Sequence, residues 1–206
     1  MIKLSGNKKE ALRYLGYRGQ SLSDETEEQL SLAMKEGLRL AMPNGVYQIY
    51  DLKKTDSGIL LDGTDMFLEG KNISSYLDGA KKCAVMAVTV GAAIDMAVLK
   101  YEKSGEITRA LMLDCVATAL VEEAADILND EIKKVANENG FNCKTRFSPG
   151  YGDFPLETQK KIIPLLDCER RMGVFLNDQC LMTPRKSVTA VIGFFEGEVN
   201  EDGFEE

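Results

Sequence analysis

The sequence predicts an α+β fold with a mainly antiparallel central sheet flanked by helices. Three observations carry this. Residues 46–53, 82–90 and 188–195 have the apolar, β-branched composition of strands. Residues 23–40 and 107–138 carry long helical patterns. The two kinds of segment do not alternate as strict βαβ units, which argues against a doubly wound parallel sheet.

Taken in order, residues 7–17 read as a short helix with Leu12 and Leu15 on one face. Ser23 is placed as the N-cap of the next helix, with Asp24, Glu25, Glu27 and Glu28 in the first turn, where the helix dipole favours acids. Leu30, Ala33, Met34, Gly37 and Leu38 then recur at helical spacing. Pro43-Asn44-Gly45 breaks the chain. A strand over 46–53 turns through Thr55-Asp56-Ser57-Gly58 toward Ile59-Leu60-Leu61 as a hairpin. Residues 73–77 suggest a short helix, and 82–90 a strand. Gly91 precedes a helix reaching about Tyr101, and Ser104-Gly105 separates it from the helix at 107–138. Asn139-Gly140 closes that helix. An extended piece at 141–147 leads into a loop, and a single helix is expected over 156–172, kinked at Pro164. The last strand runs over 188–195.

At 206 residues the chain suits one sizeable domain that buries roughly 70% of its unfolded surface without staples. Its 44% hydrophobic and 28% charged content is that of a globular protein. No apolar run approaches the ~18 residues of a membrane span, and the start lacks a signal-peptide core, so a cytoplasmic location is expected. The net charge is −8, but six acids and no base lie in 196–206, leaving −2 for the rest. That acidic tail is expected to be a solvated end. Nothing resembles a basic, aromatic-interleaved nucleic-acid surface. Five cysteines lie at least 12 positions apart, so C-x-x-C redox and zinc pairs are excluded. Cys83 and Cys115 read as small core residues. The chain has no histidine, which excludes His-dependent triads, zinc sites and proton shuttles. Gly150 and Gly152 do not make a dinucleotide fingerprint, because Pro155 occupies the third glycine position; a P-loop run is also absent.

The loop at 146–155 reads R-F-S-P-G-Y-G-D-F-P. Pro149 removes a backbone donor and pushes Ser148 toward extended backbone. Gly150 and Gly152 permit angles or approaches that a side chain forbids. Arg146 supplies a planar fork of donors suited to carboxylate or phosphate. Read alone, the segment fits both a rigid loop shaped around a small molecule and a surface turn with an incidental arginine.

The run Arg146-Phe147-Ser148-Pro149-Gly150-Tyr151 resembles the R-x-x-P-G-Y signature of the reactivation (activation) domain of cobalamin-dependent methionine synthase. The order of the segments Thr89 to Asp95, Gly173-Val174-Phe175-Leu176, Leu181 to Pro184 and Lys186 to Gly193 is similar to that family's, so the resemblance covers roughly residues 80–195. It implies a C-shaped arrangement of helices around the sheet. It divides the chain into an N-terminal helical and hairpin region (1–80), an S-adenosylmethionine-binding core (81–196) and the tail (197–206).

The resemblance also implies a ligand set. Arg146 would pair with the methionine carboxylate of S-adenosylmethionine, where the bland alternative is a helix C-terminal cap. Ser148 and Gly150 would present backbone groups. Tyr151 would stack on adenine or face the sulfonium, against simple packing. On the long helix Glu122, in preference to Glu123, would meet the ligand's amino group, against a solvated helix face. Asp153 carries no assigned role, and Ser187 is read as fixing the final strand, with no function assigned. No protein group is expected to do acid–base work. The implied function is a reactivation module: when the cobalamin of a methyltransferase has lost an electron, a flavodoxin-like donor returns it and S-adenosylmethionine supplies a methyl. Lacking histidine, the chain is expected to leave cobalamin to a partner protein. The rival reading is a non-catalytic S-adenosylmethionine sensor or assembly subunit of a corrinoid methyltransferase complex.

Overall fold

The computed structural model describes residues 2–55 and 58–197. Its strands are β1 (Asn44–Thr55), β2 (Gly58–Leu61), β3 (Phe67–Leu68), β4 (Lys82–Thr89), β5 (Asn142–Cys143), β6 (Phe175–Leu176), β7 (Met182–Thr183) and β8 (Ser187–Phe195). The helices are α1 (Lys8–Tyr14), α2 (Asp24–Leu40), α3 (Lys71–Tyr76), α4 (Ala92–Ser104), α5 (Ile107–Glu138), α6 (Gln159–Leu165) and α7 (Cys168–Met172). Six strands form one sheet in the order β3-β2-β1-β4-β8-β5. Every neighbouring pair in it is antiparallel. β6 and β7 make a separate antiparallel hairpin.

The central strand β4 explains the two-sided core. Successive side chains of a strand point to opposite faces. Ala84, Met86 and Val88 accordingly enter one apolar cluster, and Cys83, Val85 and Ala87 enter the other. A strand covered on both faces has no polar alternation, which is why this segment reads as a continuous apolar run. The first cluster is roofed by α1, α2, α4 and α5. The second is roofed by α3, α6, α7 and the 146–155 loop, through Ile73, Tyr76, Phe147, Phe154, Ile162, Ile163 and Cys168. Helix α5 supplies much of the first core, and α2 lies close against it: a Cβ on Gly37 would come within 2.7 Å of Val116. Ser23 caps α2 by accepting the Thr26 N–H at 3.2 Å. The five cysteines are free and buried.

The first helix ends at Tyr14, earlier than its pattern suggested. The single helix expected over 156–172 is instead a 3₁₀ turn (Leu156–Thr158), α6 and α7. Pro164 removes a donor inside α6, but the break comes at Asp167, which takes a left-handed conformation at φ 53°. Asp tolerates that region better than most residues, and its carboxylate holds Arg170 Nε at 2.6 Å. The short strands β3, β6 and β7 were not anticipated, because two residues are too few to show a period. The acidic tail, read as solvated, lies outside the described residues beyond Gly197. Among the described residues no helix is long and apolar enough to cross a membrane.

Candidate functional site

The edge of the sheet at β8 is only partly covered. β5 pairs with Phe194 and Phe195, and Phe147 makes a single bridge to Val191. Past that bridge, toward Ser187, a cleft of about 890 Å³ opens. Its walls come from α3, α5, the 144–152 segment, Gln159 at the start of α6, Met182 of β7 and Ser187–Thr189 of β8.

The loop is anchored through Tyr76. Its hydroxyl donates to the Thr145 carbonyl at 2.8 Å and accepts the Gly193 N–H at 3.0 Å. Its ring stacks on Phe147 at 5.2 Å between centroids. Burial pushes the Tyr76 phenol pKa far up, so it stays a neutral donor. Beyond the anchor the loop bonds to itself. Gly150 N–H donates to the Phe154 carbonyl at 2.8 Å, Phe154 N–H to Tyr151 at 3.0 Å, and Tyr151 N–H to Ser148 at 3.3 Å. Gly150 sits at φ 96° and Gly152 at φ 55°, and a Cβ on Gly152 would come within 2.7 Å of the Asn72 amide. Both glycines are therefore required by backbone conformation, and at Gly152 also by space. The Gly150 N–H and the Ser148 carbonyl are spent inside the loop, and of these two residues only Ser148 lines the cleft.

Arg146 and Phe147 are consecutive and project to opposite sides. Phe147 enters the core, and Arg146 reaches across to α5. Its guanidinium donates to Glu122 Oε2 at 2.7 Å and to Asp126 Oδ1 at 2.5 Å. Burial works against the charged guanidinium, but the two carboxylates outweigh it and raise its pKa. Arg146 caps no helix; it clamps two acids one helical turn apart. The polar stripe continues along α5. Asp114 lies 3.0 Å from Lys186 Nζ, which also donates to Thr118 Oγ1 at 2.8 Å.

Glu123 does not face the cleft. It accepts the backbone N–H groups of Ser5 and Gly6 at 2.7 and 2.9 Å. Tyr151 is 56% exposed at the cleft rim. Asp153 accepts the N–H groups of Lys71 and Asn72 at 2.7 and 2.8 Å, capping α3. Ser187 donates to the Pro184 carbonyl at 2.8 Å and fixes the start of β8. Among the residues that sequence reasoning missed are Asp126, the second partner of Arg146, and Gln159, which lines the cleft. Asp126 was visible as the residue four after Glu122. Gln159 had no signal, since one amide at a helix start is ordinary.

The sequence profile of the family described as vitamin B12 dependent methionine synthase, activation domain, matches residues 72–199. The chain belongs to that family. This activation domain is also similar to a solved structure, the MetH reactivation domain bound to AdoHcy, with a TM-score of 0.68. The match covers 94% of this chain and 77% of that one at 18% identity. A likeness at that identity establishes the shared fold, including the mixed helix and antiparallel sheet architecture. No curated protein matches this activation domain.

Proposed function

We propose that the cleft binds S-adenosylmethionine, with its amino-acid end at Arg146 and Glu122, and that the chain supports reductive methylation of cobalamin held by a separate methionine synthase or related corrinoid methyltransferase. One observation carries the reading: Arg146 and Glu122 hold opposite charges 2.7 Å apart on the wall of an open cleft. A methionine moiety has one carboxylate and one ammonium. Its entry exchanges each residue's present partner for a ligand partner of the same sign, leaving no buried charge unpaired. The volume of about 890 Å³ lies within the usual ~300–1,000 Å³ range for small-molecule sites. The AdoHcy bound to the structurally similar MetH domain supports the same ligand class here.

Bound there, S-adenosylmethionine supplies a methyl group for a partner's cobalt. Arg146 and Glu122 fix its amino-acid end, Tyr151 lies against the base or sulfonium, and the Ser148 backbone lines the cleft on the turn that Gly150 makes. The contribution of these residues is positioning, which converts an encounter of two bound molecules into an oriented one. A flavodoxin-like protein is the proposed electron donor to the partner.

The test is a reconstituted assay containing a cobalamin-binding methionine synthase without its own activation domain, a reductant and methyl-labelled S-adenosylmethionine. Label should reach cobalamin faster with this chain present, and Arg146→Ala should abolish most of the gain. Saturable ligand binding without any acceleration across several corrinoid clients would favour the sensor or assembly reading.

A further inference from the structure

We infer that Gln159 is a ligand-contacting residue of this cleft, accepting a hydrogen bond from a donor on the nucleoside end of the bound molecule. The inference rests on the S-adenosyl reading above. Gln159 is 6% exposed, and its Oε1 has no hydrogen-bond partner. Thr189, 2% exposed on β8, has an unpartnered hydroxyl as well. Among the described residues four buried side-chain polar atoms lack a partner, and these two line the same cleft. Folded proteins pair nearly all such atoms, because an unpaired one forfeits its bonds to water. Two unpaired groups on the lining of one cleft, one from a helix and one from a strand, therefore mark where a ligand's polar atoms go.

The chemistry of the missing partner follows from position. Glu122 belongs to the helix layer on one face of the sheet, and Gln159 to the layer on the other. The cleft spans both at the sheet edge. With the amino-acid end of the ligand at Arg146 and Glu122, the far wall meets the nucleoside. An amide oxygen accepts only, so it requires an N–H or O–H. The nucleoside has two kinds: the ribose hydroxyls and the exocyclic amine of adenine.

The experiment is calorimetry with S-adenosylhomocysteine and with methylthioadenosine, which keeps the nucleoside and lacks the amino-acid end. Gln159→Leu should weaken both by about ten-fold, as expected for one lost hydrogen bond to a buried acceptor. Gln159→Glu, which keeps an acceptor, should stay within a few-fold of wild type. Arg146→Ala should weaken S-adenosylhomocysteine alone. The melting temperature of free Gln159→Leu should equal or exceed that of wild type, since the unpaired oxygen is gone; a purely structural glutamine would lower it. A ligand-side arm needs no variant: on wild type, either the 2′,3′-dideoxy or the N6,N6-dimethyl form of methylthioadenosine should lose about ten-fold. If wild type binds both parent ligands but Gln159→Leu matches it and neither modified nucleoside is weakened, the role of Gln159 is overturned while the S-adenosyl reading stands. If wild type binds neither parent ligand, both fall.

Discussion

Glu122 and Glu123 are adjacent on α5 and serve different parts of the molecule. Glu122 Oε2 lies 2.7 Å from the Arg146 guanidinium in the cleft, while Glu123 gathers the backbone N–H groups of Ser5 and Gly6. About 100° of helical rotation separates neighbouring residues, enough to send one acid to the loop and the other to the N-terminal segment.

The two acids should therefore give separable phenotypes. Glu123→Ala removes acceptors from two N–H groups and should lower stability by ~1–2 kcal/mol. Its affinity for S-adenosylhomocysteine should match wild type. Glu122→Ala should show the reverse, with affinity reduced and a melting curve close to wild type. Denaturant melts paired with calorimetry separate the cases. Equal affinity losses in both variants would contradict the assignment of Glu122 to the ligand.

Arg146 bridges Glu122 and Asp126 through separate nitrogens, Nη2 and Nη1. A lysine ammonium has no such fork and reaches both partners poorly. Arg146→Ala should lose ~1.5–3 kcal/mol of binding free energy for a carboxylate-bearing ligand, the worth of a charged hydrogen bond. Arg146→Lys should recover only part of it. Full recovery by lysine, measured by titration at fixed salt, would mean the site reads charge alone.

How much of this was legible in the sequence depends on the length of the element. α5 was read from residue 107 to 138, as observed, because 32 residues display many helical periods. The β1–β2 hairpin and the burial of Cys83 and Cys115 were equally visible. The 146–155 loop was found because two glycines and two prolines leave few conformations. What escaped was set by tertiary pairing. β3 exists because Phe67 and Leu68 meet β2 at Leu60 and Ile59. The α6–α7 break turns on one backbone angle at Asp167. Asp126 was passed over although it lies four residues after Glu122, and Gln159 became notable only when its oxygen was seen to lack a partner.

Asp153 makes acid stability testable. The N–H groups of Asn72 and Lys71 hold its carboxyl below the ordinary value of 3.8. A depressed folded-state pKa contributes stability that is present above the unfolded value and lost as pH falls through the folded one. Between about pH 6 and pH 3, wild type should lose more of its melting temperature than Asp153→Asn, which cannot titrate. Identical pH profiles would show that the cap does not depend on the charge.

Tyr151 tests whether the exposed aromatic belongs to the ligand or to the fold. It is 56% exposed, and its neighbours Gly150 and Gly152 are held by hydrogen bonding and close contact independent of its ring. Tyr151→Ala should therefore change stability by no more than ~0.5 kcal/mol, the usual range for surface substitutions. A sulfonium against the ring face is worth ~0.5–2 kcal/mol, and that loss should appear for S-adenosylmethionine but be smaller for S-adenosylhomocysteine, whose sulfur carries no positive charge. Parallel titrations of the two ligands read the difference directly. An equal loss for both would place the ring on the adenine, and no loss for either would return Tyr151 to a bystander at the rim.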